Sequence, residues 1–185
     1  NTFWDLGRND LNSIWLHQRI AGRDRFIGYY ENNGEHISHY LNWLKEWKRV
    51  HTAQYDDHYL PHDGKREDLF IVNGRMGVME DLGFYPEIVD RVGNKLNAIE
   101  AVRSVFPNCD FDEKACEVGL KRLKHYRKEW DDKRGRWKDR PLHDDNSNAA
   151  DAFMTFATGY TAPNYEEDEY NGNDSSLGAS VAAGY

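Results

Sequence analysis

Over the first thirty positions, short runs rich in apolar and aromatic residues are separated by polar and glycine-containing breaks, the pattern of successive strands. Residues 2–7 predict a strand ending in a turn at Gly7, and residues 13–20 and 25–30 predict two more, joined by a hairpin over 21–24. Three successive strands with short connections make an antiparallel meander. From Ile37 the pattern changes: Ile37, Tyr40, Leu41, Leu44 and Trp47 recur at helical spacing and predict a helix over 36–50. Residues 57–63 then read as a fourth strand, with Asp63 at its C-terminal end.

Further on, residues 75–83 read as a short helix stopped by Gly83, and 86–92 as a fifth strand. Leu96, Ile99, Val102 and Phe106 predict a helix ended by Pro107. Asp112 is positioned to cap a long helix running to Trp130 on Ala115, Val118, Leu123 and Tyr126. Residues 133–142 suggest a basic hairpin around Gly135, and the small apolar run 149–158 a closing buried helix. After Pro163 the chain is acidic, rich in Gly, Ser and Asn and poor in large aliphatics, the composition of a flexible tail. Residues 1–160 are thus expected to form one domain and 161–185 an acidic tail; no internal repeat is visible.

At 185 residues with 39% hydrophobic and 14% aromatic content, the chain can bury a core without disulfides, and wholesale disorder is excluded. No apolar run has the length of a membrane span, and the two cysteines, Cys109 and Cys116, suit neither a zinc cluster nor a disulfide framework. An intracellular protein is expected, and its abrupt start at Asn1 resembles a segment of a longer chain. The net charge of −8 is unevenly placed. All 24 Lys and Arg lie at or before Arg140, and residues 114–140 carry eleven bases against five acids. Such a local excess can hold a polyanion on one face of an acidic protein.

Three carboxylates fall where strand ends and the closing helix can meet: Asp5, Asp63 and Asp151, the last among Ala149, Ala150 and Ala152. A carboxylate among such small residues is costly to bury unless paired or metal-bound. Converging carboxylates repel, and hard divalent cations relieve that repulsion through oxygen ligands. Two such ions can activate a water and stabilise a leaving oxygen in phosphodiester cleavage. Spacing alone leaves open that all three are ordinary turn and cap residues. His143, Asp144 and Asp145 are auxiliary candidates beside the closing helix, and His62 beside Asp63 is a candidate to orient its neighbour. Asp10 reads as a turn residue, His36 and His39 share a helix face without a third ligand, and Trp43 and Trp47 read as core.

Several segments, in order, resemble one known family. Trp4-Asp5-Leu6-Gly7-Arg8-Asn9-Asp10 followed by Ser13-Ile14-Trp15 is similar to the opening strand of the nuclease domain in the large terminase subunit of tailed phages. His58-Tyr59-Leu60-Pro61-His62-Asp63 resembles its second acidic strand, and Arg75 stands where a following Ser-Arg pair ends. Residues 106–113, 123–130 and 140–144 also match, and Asn148-Ala149-Ala150-Asp151-Ala152-Phe153 resembles the closing helix, so the similarity runs through about residues 2–158.

The resemblance implies an α/β ribonuclease H-like fold, a mixed sheet with an antiparallel three-strand meander flanked by helices. It implies a two-metal endonuclease that uses Mg²⁺ or Mn²⁺ and cuts concatemeric double-stranded DNA during genome packaging. Asp5 would bridge two ions, with Asp63 and Asp151 holding one each. Arg75, Arg134, Arg136 and Lys138 are the expected DNA contacts. The implied partners are an ATPase domain of the full-length chain, a small terminase subunit and a portal protein, in the host cytoplasm and transiently at the procapsid portal, with no membrane.

Two positions depart from the family pattern. Asn148 stands where a His often precedes Ala-Ala-Asp or Ala-Asp, and Phe70-Ile71-Val72-Asn73-Gly74 replaces a Gly-Thr-Gly-Lys-Ser segment, losing a Lys. The chain also has no Gly-x-x-x-x-Gly-Lys-Ser/Thr, so the ATPase motor half is absent from it. A Holliday-junction resolvase or transposase relative would share the acidic cluster, and a portal- or motor-docking module with little activity alone is a third reading.

Overall fold

In the computed structural model, residues 1–7, 10–62 and 74–162 are described. Among them, eight strands and five helices follow one another. The first part of the chain runs β1 (Thr2–Asp5), β2 (Asn12–Ile20), β3 (Arg23–Asn32), α1 (Ile37–His51), β4 (His58–Pro61), α2 (Gly74–Asp81) and β5 (Pro86–Val89). Next come α3 (Lys95–Val105), a 3-10 turn at Phe106–Asn108, β6 (Cys109–Phe111), α4 (Glu117–His125), β7 (Lys128–Asp131), β8 (Arg136–Pro141) and α5 (Asp145–Gly159). Six strands form one mixed sheet in the order β5-β4-β1-β2-β3-β6. The meander β1-β2-β3 is antiparallel, as the short connections predict, while β4 joins β1, β5 joins β4 and β6 joins β3 in parallel.

Strand parity decides which residues meet which helices. Trp4, Ile14 and Leu16 pack against Tyr40, Leu41 and Leu44 of α1 on one face. Phe3, Trp15 and Phe26 pack against Ala149, Ala152, Phe153 and Phe156 of α5 on the other. The small residues at 149, 150 and 152 let α5 lie close to the sheet, where Thr155 Oγ1 donates to the Trp4 carbonyl at 3.0 Å. Each fully buried aromatic contributes roughly 1.5–3 kcal/mol. Asp5 has the parity of Phe3, and so belongs to the α5 face.

Several elements differ from the sequence reading. The long helix expected from Asp112 to Trp130 is only Glu117–His125. Asp112 instead caps a preceding turn, its Oδ1 accepting from the backbone N–H groups of Lys114 and Ala115. The helix stops where Tyr126 turns extended, and Lys128–Asp131 pairs with Arg136–Pro141, so the basic hairpin is longer than expected. Cys109–Phe111 is a strand that the sequence pattern does not predict. The closing helix starts at Asp145 rather than 149, because the Asp144 side chain caps it by accepting from the Asn146 N–H at 3.0 Å. The fourth and fifth strands are shorter than read, His58–Pro61 and Pro86–Val89.

Candidate active site

Strands β1, β4 and β5 are mutually parallel, so their C-terminal ends open on one side of the sheet. Ligands of open α/β sheets bind at such an edge. A cleft of about 290 Å³ lies there, lined by Asp5 from β1, Pro61 and His62 from the end of β4, Asp90 after β5, and Asp151 and Thr155 from α5. Asp5 and Asp151, 146 positions apart in sequence, are thereby brought to one site. Asp63 lies outside the described residues; His62, immediately before it, lines the cleft.

The turn after Asp5 is tightly built. A Cβ on Gly7 would stand 2.6 Å from the Asp10 carbonyl oxygen and 2.8 Å from that of Leu11, so only glycine fits. Arg75 donates to the Gly7 carbonyl at 3.0 Å and braces the same turn. Asp10 continues it: its carboxylate accepts from the Leu11 N–H at 2.9 Å and from the Asn148 amide at 3.0 Å, and lies 3.3 Å from His143 Nε2. Asn148 is therefore engaged with a carboxylate through its amide.

Of the auxiliary candidates, His143 is exposed and also contacts Ser147 Oγ at 3.0 Å. Asp144 serves as the helix cap and Asp145 lies 3.7 Å from Arg122, so both have structural partners on α4 and α5. Burial pushes the Asp151 carboxyl above the ordinary range, and the Lys95 ammonium, 2.5 Å from Oδ1, pulls it back. Sequence reasoning does not single out Lys95. A signal is present: a cation in the first turn of a helix opposes the helix dipole, which hints at a tertiary reason for it.

Among the described residues, no three His, Cys, Asp or Glu side chains are grouped closely enough to hold a metal ion. The donor set nevertheless suits a hard divalent cation: Asp5 and Asp151 offer only carboxylate oxygens, and Asp151 already has a cation against it. Neither cysteine lines the cleft, and burial pushes both thiols up to about 12. His39 is taken up by the Tyr30 hydroxyl at 2.7 Å, and Trp43 stacks on Tyr30 beside the core.

The basic segment forms a separate feature. Arg134 and Arg136 are exposed at the hairpin turn, without an ion-pair partner among the described residues. Lys138 is bound to Glu129, and Arg140 donates to the same carboxylate at 2.7 Å. Trp130 and Trp137, both exposed, pack edge to face on the hairpin at 5.0 Å. Among the described residues no helix is long and apolar enough to cross a membrane.

Neither a family model nor a curated protein sequence matches the chain. Solved structures do. The large terminase from a thermophilic bacteriophage superposes with a TM-score of 0.63 at 16% identity, over 84% of this chain and 38% of that one. The chain therefore spans well under half of that protein. The nuclease domain of the P22 large terminase matches with a TM-score of 0.58 at 15% identity, over 85% of this chain and 80% of that one. The nuclease domain of the large terminase from bacteriophage SPP1, determined with bound Mn, matches with a TM-score of 0.56 at 11% identity, over 84% and 85%. The described residues thus have the ribonuclease H-like α/β fold of the large terminase nuclease domains.

Proposed function

We propose that this domain is a metal-dependent endonuclease that cuts concatemeric double-stranded DNA during viral genome packaging. The observation that carries the reading is the joint placement of Asp5 and Asp151 in a cleft at the C-terminal ends of parallel strands, within a fold shared with terminase nuclease domains. Asp5, Asp151 and Asp63 would hold two Mg²⁺ or Mn²⁺ ions, with Asp5 shared; the Mn in the SPP1 neighbour supports that choice. Bound there, such ions supply an activated water and charge neutralisation at the cleaved phosphate. Asp5 is held rigidly by the sheet and Asp151 by the anchored helix, which supports positioning without a Ser or Cys nucleophile. The exposed Arg134 and Arg136, with Lys138 beside them, would grip phosphates and carry no base information. Arg75 would act chiefly by bracing the turn after Asp5, next to the DNA path. Residues 161–185, without Lys or Arg, would be dispensable for cutting. The ATPase domain of a longer chain, a small terminase subunit and a portal protein are the partners this reading calls for.

A plasmid-cleavage assay tests the reading. The chain should cut with Mn²⁺ or Mg²⁺ and stop on EDTA. Asp5→Asn and Asp151→Asn should each lose cleavage with an unchanged circular dichroism spectrum, because an amide cannot neutralise the cation. Wild-type rates in either variant contradict it.

A further inference from the structure

We propose, on the nuclease reading above, that Lys95 is a resident countercharge for Asp151 that competes with the divalent cation for that carboxylate. The two side chains come from different helices, 56 residues apart, and meet at 2.5 Å across the mouth of the cleft. Both line the same cavity as Asp5, so the ammonium sits where a cation serving the two carboxylates would have to approach.

Two further observations show that the contact is not incidental to α3. Lys95 is the first residue of that helix, and no acid shares its first turn. An ammonium there faces the positive end of the helix dipole, which local energetics disfavour. Asn94 already caps the helix by accepting from the Asn97 N–H at 2.8 Å, so α3 needs nothing from Lys95 to begin. What the position supplies is a positive charge beside a carboxylate that the closing helix holds mostly out of water.

The contact is also exchangeable. The Lys95 side chain is 44% exposed and that of Asp151 only 23%. The flexible four-carbon stem can therefore carry the ammonium into water, while the carboxylate stays in the cleft. Asp151 thus has two cationic states, lysine-paired and metal-loaded. In the first the repulsion among the cleft acids is already partly relieved. Lys95 then lowers metal affinity and keeps the carboxylate poised before loading. Asp5, Asp90 and Arg91 line the same cleft, and beyond it His143 favours the ionised Asp151 carboxyl while Asp10 opposes it.

The test is Mn²⁺ binding by the whole chain without DNA, measured by isothermal titration calorimetry. Lys95→Met keeps the stem and removes the charge; Mn²⁺ should bind roughly three- to fivefold tighter, the size of a partly exposed ion pair. Lys95→Arg should stay near wild type. With Asp151→Asn as background, Lys95→Met should leave the residual affinity unchanged. If Lys95→Met binds Mn²⁺ no tighter than wild type while Asp151→Asn loses binding, the proposal is overturned and the metal-site reading stands. If Asp151→Asn binds Mn²⁺ like wild type, or if no variant binds, the metal-site reading fails and the proposal goes with it. Lys95→Gln, checked for a folded spectrum, provides a second uncharged variant with the same expected gain.

Discussion

The Trp15 indole nitrogen donates to the Ala149 carbonyl at 2.9 Å, joining residues 134 positions apart. The bond fixes α5 against the central sheet two residues before Asp151, and so sets where that carboxylate stands relative to Asp5. Trp15 is fully buried between Phe26, Tyr29, Phe111 and Phe153. Trp15→Phe removes the donor and leaves a void. Urea denaturation should show a loss of about 2–4 kcal/mol. A variant as stable as wild type would show that the bond does not anchor the helix.

Gly119, in α4, lies directly on that indole. A Cβ there would stand 2.4 Å from Trp15 Cη2 and 2.7 Å from Tyr29 Cγ, and both rings are held by their neighbours. Alanine gains up to about 1 kcal/mol of helix propensity. Overpacking costs about 1–3 kcal/mol, so Gly119→Ala should be destabilised overall. Gly93→Ala, with open space around its Cβ, is the control and should be neutral or slightly stabilised. Equal melting temperatures for the two variants would contradict the packing argument.

Two buried histidines make stability fall in mild acid. Trp4 Nε1 donates to Thr2 Oγ1 at 2.8 Å, leaving the Thr2 hydroxyl proton for His58 Nδ1 at 2.7 Å, which fits a neutral ring. Burial lowers His58 to about 4 and, against the pull of Asp24, lowers His17 to about 4 as well. The unfolded chain takes up these protons near pH 6.5, whereas the folded chain resists until about 4. Their contribution is therefore complete above about pH 7 and is lost as pH falls from 6.5 towards 4. By about pH 5 the loss should reach about 2 kcal/mol per histidine. Urea midpoints at about pH 7.5 and about pH 5 should differ accordingly, and His58→Asn should flatten the dependence. Identical midpoints in the wild type would refute it.

DNA affinity should depend on the hairpin, and unequally among its bases. Each neutralised phosphate contributes about −0.9 to the slope of log affinity against log salt. Arg134→Ala with Arg136→Ala should flatten that slope by about two units, equally for unrelated DNA sequences. Adding Lys138→Ala should change less, because Lys138 is already bound to Glu129. An unchanged slope in the double variant would place the DNA on another face.

The meander, α1, Asp5 at the end of β1 and Asp151 within α5 are legible along the chain, because apolar runs between turn residues and the helical period are both local signals. Asp5 follows the parity of Phe3, and Asp151 sits in a run of small residues that only a closely packed helix explains. Other features have no local period. Cys109–Phe111 is three residues long and is a strand only because β3 offers it a partner edge. The helix beginning at Glu117 ends at His125 because the next residues find a partner in β8, although their own pattern suits a helix. Asp144 and Asp145 look like candidates for chemistry in the sequence, yet serve a helix end and an ion pair with Arg122. Lys95 shows only an unfavourable charge at a helix start until α3 and α5 are packed together. Periodicity is a short-range property; the pairing of Lys95 with Asp151, and of Trp15 with Ala149, depends on how distant segments stack, and that the tertiary structure alone decides.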